Sequence, residues 1–323
     1  MARKPKVLLT EPVFREVHEL LKQYFELHVG RRGQFNDALS LRDAIYCYDG
    51  LLCMLSNPVN ETVLSNATVL KVVANYAVGY NNIDIGACQR HNIRVANTPD
   101  VLTETTADGT IALLLSVVRR IPESERFLRN GLFDGWNPTG FLGLELSGAT
   151  AGIIGMGRIG QAVAKRLRAF DMNIIYSNPK RLDRETETLL GARWFEDPLQ
   201  IASRADVVSL HCPLTDKTRH LVNQQFLDSM KPDAYLINAS RGPVVEEIAL
   251  AMALHDRRIA GAGIDVFEFE PEVQDMLLSA PNAVLVPHIT SATKPTRLKM
   301  GMLAAGAIAK TLCGADYPCH FVV

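Results

Sequence analysis

TAGIIGMGRIGQAVAKRLRAF, residues 150–170, decides how the rest of the chain is read. An apolar run from Thr150 to Ile154 meets Gly155-Met156-Gly157-Arg158-Ile159-Gly160, a GxGxxG pattern. Beyond it Ile159, Val163, Leu167 and Phe170 recur at helical spacing. The pattern alone is weak, since glycines cluster in many turns. A strand before it and an amphipathic helix after it give each glycine a task. Gly155 would make the tight turn, Gly157 would let a pyrophosphate approach the backbone, and Gly160 would let helix and strand pack closely. The unpaired N–H groups of the first helical turn, which holds Arg158 and Ile159, would take the phosphates with the help of the helix dipole.

A dinucleotide fold of this kind places an acid about 20 residues further on, at the end of its second strand, to bond the adenosine ribose. That strand is NIIYS here, and the position falls on Asn178, followed by Pro179, Lys180 and Arg181. A carboxylate would repel a 2′-phosphate. Asn178 is neutral, and Ser177, Lys180 and Arg181 can donate hydrogen bonds, the last two as cations. The charges therefore favour NADP(H), with NAD(H) as the alternative. The competing reading is that Lys180 and Arg181 merely begin a solvated charged segment.

The chain around this motif has 323 residues, 47% of them hydrophobic, which exceeds one ordinary core and reads as two domains. Its 34 basic and 35 acidic residues are well mixed, so no electrostatic footprint for nucleic acid or an anionic membrane exists and a small-molecule partner is expected. The N-terminal MARKPKVLLTEP has too short an apolar stretch for a signal sequence, and no run reaches membrane-spanning length. Six cysteines show neither CxxC nor zinc spacing, which suits reduced thiols in a cytoplasmic protein.

Before the glycine loop, KVLLT, FELHV, DGLLCML, LKVVANYAV and IRVANT alternate with helical patterns, as in β-α-β units of a parallel sheet. Asn97-Thr98-Pro99-Asp100 breaks the alternation, and a long apolar helix follows from about Thr105 to Arg120. After the loop, NIIYS, ADVVSL, DAYLINA, AGAGIDV and AVLVP join TAGII as a second set of roughly six strands. The tail from Thr293 reads as one further helix without a sheet of its own.

Three polar residues directly follow apolar strands, where ligands gather in parallel sheets: Arg241 in LINASRGP, Glu270 in GIDVFEFEP and His288 in VLVPHITSAT. Singly, each has a dull explanation. Together with the glycine loop, and with NYAVGYNNID, TADGTIALLLSVVRRI, VVSLHCPLTDKTRHLV and PHITSAT in that order, they make the chain resemble the D-isomer-specific 2-hydroxyacid dehydrogenases, and within them the glyoxylate and hydroxypyruvate reductase branch.

The resemblance implies a flavodoxin-like substrate domain, discontinuous over 1–100 and 289–323, and a Rossmann NAD(P)-binding domain over 101–288. It implies that the tail helix packs on the first domain and that a homodimer forms through the helix at 105–120 and the arm FDGWNPTGFLG. It implies reduction of a small 2-oxo acid by hydride transfer, with His288 as general acid. Glu270 would hold the ring and favour its imidazolium form, and the planar fork of Arg241 would clamp the substrate carboxylate and carbonyl. Backbone N–H groups around Val78 and Gly79 would complete the anion site, Leu55 would line the pocket, and no metal is required. Thr106, Cys212, Pro213, Thr218, Ala239 and Asp265 carry over as cofactor contacts, Asp265 beside the nicotinamide amide. Trp136 would either reach a neighbouring subunit's site or lie in the dimer interface.

The sequence departs from the branch at LELSGATAGIIG, where a bulkier Tyr-Gly-Lys type is usual, at Thr290, where glycine is common, and at Asn81, where Asp is frequent. Two rivals stand beside this reading. One is an NAD-linked 2-hydroxyacid or 3-phosphoglycerate dehydrogenase of the same family, which the missing acid at position 178 disfavours. The other is a dinucleotide-sensing corepressor-like binding protein, for which no interaction tail is visible.

Overall fold

The computed structural model describes residues 3–323, so the first two residues of MARKPKVLLTEP lie outside the described residues. Two compact units emerge, one running to Leu102 and resuming at Thr293–Val323, the other Thr103–Ala292.

In the first unit the strands are β1 (Lys6–Leu9), β2 (Glu26–Val29), β3 (Gly50–Cys53), β4 (Val72–Asn75) and β5 (Arg94–Asn97), all parallel, in the order β5-β4-β3-β1-β2. That is the flavodoxin-like order. β3 and β4 are buried on both faces and apolar except for Asn75, whereas the edge strand β2 is largely exposed and alternates polar residues. The tail helix Lys294–Cys313 packs on this unit, against helix Arg15–Tyr24 and strands β3, β4 and β5. Ala304, Ala305, Gly306 and Ala307 are buried along it, and their small side chains permit the close approach. The tail does own a strand: His320–Phe321 pairs antiparallel with β5, and the Arg94 guanidinium sits 3.6 Å from the Phe321 ring centroid. Two residues give no periodicity, so the sequence pattern could not show it.

The second unit holds β6 (Thr150–Ile154), β7 (Asn173–Ser177), β8 (Ala192–Phe195), β9 (Val207–Leu210), β10 (Tyr235–Asn238), β11 (Gly261–Ile264) and β12 (Ala283–Leu285) in one parallel sheet ordered β12-β11-β10-β9-β6-β7-β8. The sheet has seven strands rather than six. The extra one, β8, reads ARWF, an edge strand whose sequence has no continuous apolar run to betray it. Helices Thr103–Val118 and Arg158–Arg168 cover one face through Leu113, Leu114, Val163 and Leu167; Ile201, Phe226, Leu250 and Leu254 cover the other.

Two local readings need correction. Helix Arg158–Arg168 ends before Phe170, which is exposed, because the chain turns through a left-handed Asp171 (φ 59°) to enter β7. Residues 289–292, expected with the first domain, stay with the second unit, where Asp265 bonds the backbone of Ile289 and Thr290.

Candidate active site

Because β6 to β12 are parallel, the residues that follow them all emerge on one edge of the sheet. The chain reverses its lateral direction between β6 and β9, and this switch point is where such sheets bind ligands. Gly155 and Cys212 meet there. A Cβ at Gly155 (φ 94°) would lie 2.4 Å from the Cys212 nitrogen, and one at Gly160 would lie 2.3 Å from the Gly155 carbonyl oxygen, so neither position tolerates a side chain. Gly157 is extended, with nothing within 4 Å of where a Cβ would be. It caps helix Arg158–Arg168 without a side-chain hydrogen bond, leaving the N-terminal turn to an anion. The loop thus fits a dinucleotide pyrophosphate.

Other carried-over residues differ in what they offer. The Thr106 hydroxyl is buried without a hydrogen-bond partner among the described residues. Burial pushes the Cys212 thiol up to about 11, so it is a packing residue and not a nucleophile. The Thr218 hydroxyl donates to the Pro213 carbonyl at 2.7 Å and accepts from the Thr215 N–H at 2.8 Å, closing its own loop. Ala239 follows β10 directly.

At the end of β7 the donors expected for a 2′-phosphate divide. Ser177 is buried, and its hydroxyl donates to the Glu196 carbonyl at 3.1 Å. Arg181 makes a two-pronged pair with Glu187, at 2.9 Å and 2.7 Å, and the same carboxylate takes the Tyr176 hydroxyl at 2.7 Å. The hydrogen bond from Arg181 lowers the Glu187 carboxyl, burial opposes it, and the pair cancels much of the local positive charge. In the fold both Ser177 and Arg181 have partners within the protein. Asn178 itself accepts from the Met156 N–H at 3.1 Å, so the residue in the acid's place braces the glycine loop. Lys180 is exposed.

The candidate reacting groups, Arg241, Glu270 and His288, follow the three neighbouring strands β10, β11 and β12. His288 Nδ1 lies 3.2 Å from Glu270 Oε2, and Glu270 Oε1 accepts the Phe267 N–H at 3.1 Å. Burial raises the Glu270 carboxyl; the hydrogen bond and charge of His288, the Phe267 N–H and Arg241 outweigh it, so the group ends below its ordinary range. Burial lowers the Arg241 guanidinium, and the Glu270 charge works against that. The Arg241 backbone is pinned by Asn238, whose amide donates to the Arg241 carbonyl at 3.0 Å. His288 sits at φ 55°, a conformation a non-glycine residue adopts only when its surroundings hold it there.

Asp265 provides that hold. Fully buried, it accepts the Ile289 N–H at 2.6 Å on Oδ1 and both the Thr290 N–H, at 3.1 Å, and hydroxyl, at 2.6 Å, on Oδ2. Burial raises its carboxyl and these donors, with His288, only partly offset the rise. In the fold the Asp265 carboxylate, expected beside the nicotinamide amide, bonds the segment that follows His288. In the sequence Thr290 stands out only as a departure from family habit; in the fold its hydroxyl is part of the scaffold. Among the described residues no cluster of His, Cys, Asp and Glu could hold a metal ion.

Residues 111–290 match the family model described as D-isomer specific 2-hydroxyacid dehydrogenase, NAD binding domain. The chain belongs to this family. It is an oxidoreductase that binds a nicotinamide dinucleotide. The dehydrogenase is 43% identical over 306 residues to the glyoxylate reductase of Thermococcus litoralis, covering 94% of this chain and 92% of that one. Among solved structures it is similar to a protein of Thermus thermophilus, with TM-score 0.89, 39% identity and coverage of 98% and 100%. It is also similar to an NADPH-dependent glyoxylate/hydroxypyruvate reductase from Sinorhizobium meliloti in complex with NADP and malonate, with TM-score 0.87, 35% identity and coverage of 98% and 97%.

In the first unit of the dehydrogenase, Leu55 follows β3 and the loop with Val78 and Gly79 follows β4. The Asn75 amide donates to the Gly79 carbonyl at 2.8 Å and the Asn97 amide to the Val78 carbonyl at 2.7 Å. The Val78 and Gly79 N–H groups have no hydrogen-bond partner among the described residues, as an anion-binding loop requires. Trp136 is 86% exposed on the arm.

Proposed function

We propose that the protein reduces a small 2-oxo acid, glyoxylate to glycolate or hydroxypyruvate to D-glycerate, with NADPH as the preferred donor. The observation that carries this reading is the 3.2 Å contact between His288 Nδ1 and Glu270, with Arg241 from the adjacent strand in the field of the same carboxylate. When bound, the reduced nicotinamide supplies a hydride to the keto carbon. Glu270 fixes the Nδ1 side of the ring, so His288 gives its Nε2 proton to the oxygen that becomes the hydroxyl. Arg241 holds the substrate carboxylate and polarises the carbonyl through its planar fork. Asp265 and Thr290 keep His288 in its strained conformation. In the first unit, the N–H groups of Val78 and Gly79 are suited to a carboxylate, and Leu55 after β3 offers an aliphatic side chain suited to a short acid.

Asn178 and the exposed Lys180 support NADPH, since neither repels a 2′-phosphate. The inward Ser177 and the Arg181–Glu187 pair favour a second reading in which NADH is also used at a comparable rate. The apolar side chains exposed along the arm and the preceding helix, among them Ile121, Leu128, Leu132, Phe133 and Trp136, support assembly as a homodimer. Six free cysteines accord with a reducing cytoplasm. Parallel steady-state assays of glyoxylate, hydroxypyruvate and pyruvate with NADPH and with NADH test the proposal. Turnover of glyoxylate or hydroxypyruvate with NADPH at the higher kcat/KM is expected; absence of turnover on all three would overturn it.

A further inference from the structure

Glu270 stands in a loop, residues 267–274, and the buried carboxylate of Glu247 grips that loop from behind. Glu247 Oε2 accepts the Glu268 N–H at 2.8 Å and Glu247 Oε1 accepts the Gln274 N–H at 2.8 Å. One side chain thereby spans the segment on either side of Glu270. The grip is mutual, because Glu268 Oε2 accepts the Glu247 N–H at 3.2 Å. This reciprocal pair joins positions far apart in sequence, the start of helix Glu247–His255 and the catalytic loop.

Two carboxylates so placed repel each other unless a cation or donors compensate. His220 supplies the compensation, with Nε2 2.5 Å from Glu268 Oε1. It is itself held in a left-handed conformation, φ 51°, with its N–H donating to the Pro243 carbonyl at 2.9 Å. Pro243 lies two residues beyond Arg241, and His220 two beyond Thr218. His220 therefore ties together three segments, through its backbone N–H the turn that carries Arg241, through its imidazole the loop that carries Glu270, and through the chain itself the Pro213–Thr218 loop on the cofactor side.

We propose that His220, Glu268 and Glu247 form a positioning clasp that fixes Glu270 against His288 in register with Arg241. The inference rests on the catalytic roles given above for Glu270 and His288. It makes His220 a positioning residue, acting through Glu268 and touching no reacting atom. A displaced Glu270 leaves the substrate anion site intact but misplaces the proton donor, so turnover falls more than substrate affinity.

The test compares His220→Ala, His220→Gln and Glu268→Gln with Glu270→Gln and His288→Gln in the full-length enzyme, using glyoxylate and NADPH. NADPH binding and thermal unfolding are measured on each variant. His220→Ala should lower kcat by about 10- to 100-fold, the scale of a misplacement of about 1 Å, while the glyoxylate KM changes by less than about 2-fold. His220→Gln, which keeps a donor for Glu268, should recover most of kcat. Glu268→Gln, which keeps the shape and loses the charge, should fall between. An unchanged kcat in His220→Ala, or a loss that Gln fails to rescue, would overturn the clasp. So would equal losses in kcat and glyoxylate affinity. Should Glu270→Gln and His288→Gln keep full turnover, the catalytic reading fails first and the clasp with it. If those two lose activity and His220→Ala does not, only the clasp fails.

Discussion

Asp265 Oδ2 lies 2.6 Å from Thr290 Oγ1, and the two residues close the segment that holds His288 at a positive φ. The contact is buried, so the carboxylate has no solvent to turn to when a donor is removed. Thr290→Val keeps the shape and deletes the donor; the unfolding free energy should fall by about 1–3 kcal/mol, the cost of leaving a buried acceptor short of a partner. Thr290→Ser, which keeps the hydroxyl, should recover most of the loss. Urea titration of the two variants beside the parent measures both, and equal stability of parent and Thr290→Val would refute the scaffold role.

His288→Gln retains a hydrogen-bonding side chain but no proton to give at neutral pH. Its kcat should fall by about 10²–10⁴-fold, the range for loss of a general acid. NADPH affinity, read by fluorescence titration, should stay within about 2-fold, because the cofactor loop and the histidine stand on different strands.

On the proposed NADPH reading, the division of donors after β7 leaves the 2′-phosphate to Lys180. Lys180→Ala should raise the NADPH KM by about tenfold or more, since a hydrogen bond to a charged group is worth about 1.5–3 kcal/mol, and should leave NADH nearly unaffected. Arg181→Ala should do less to cofactor choice and more to stability, because its partner Glu187 is buried. Asn178→Asp should weaken NADPH far more than NADH. Equal weakening of both cofactors would mean that residue 178 acts only as the brace for Met156.

The ring of His211 gives a pH dependence of stability. The residue as a whole is half-buried, but its Nδ1 is buried without a partner among the described residues, and its Nε2 meets the Ser209 hydroxyl at 2.8 Å. Burial of the ring pushes the group down to about 4. The folded protein keeps the ring neutral, while the unfolded chain takes up a proton through the ordinary range near 6.5. Stability is thus fully present above that range, declines as the pH falls from about 6.5, and levels off for this residue below about 4. Denaturation midpoints between pH 7 and pH 4 should show a steeper decline for the parent than for His211→Gln; parallel curves would reject the assignment.

The local sequence was sufficient for the glycine loop, the alternation of strands and helices, and the placement of Arg241, Glu270 and His288 just after strands. Each depends on short-range rules: left-handed turns favour glycine, buried parallel strands are continuous apolar runs, and ligand-facing groups follow strand ends. The short edge strand ARWF and the two-residue strand at His320 obey no such rule, since pairing and not pattern makes them strands. The same limit explains the donors around Asn178. Lys180 and Arg181 are equal cations in the sequence, but only the fold brings Glu187 beneath Arg181 and turns Ser177 inward. Likewise GIDV marked Asp265 as a carboxylate after a strand, and only the tertiary structure closed Thr290 over it. Composition and motif fix which groups exist and roughly where the chain presents them. Which of them remain available to a ligand is decided by long-range partners that satisfy buried charges and hydrogen bonds, and no local pattern encodes those partners.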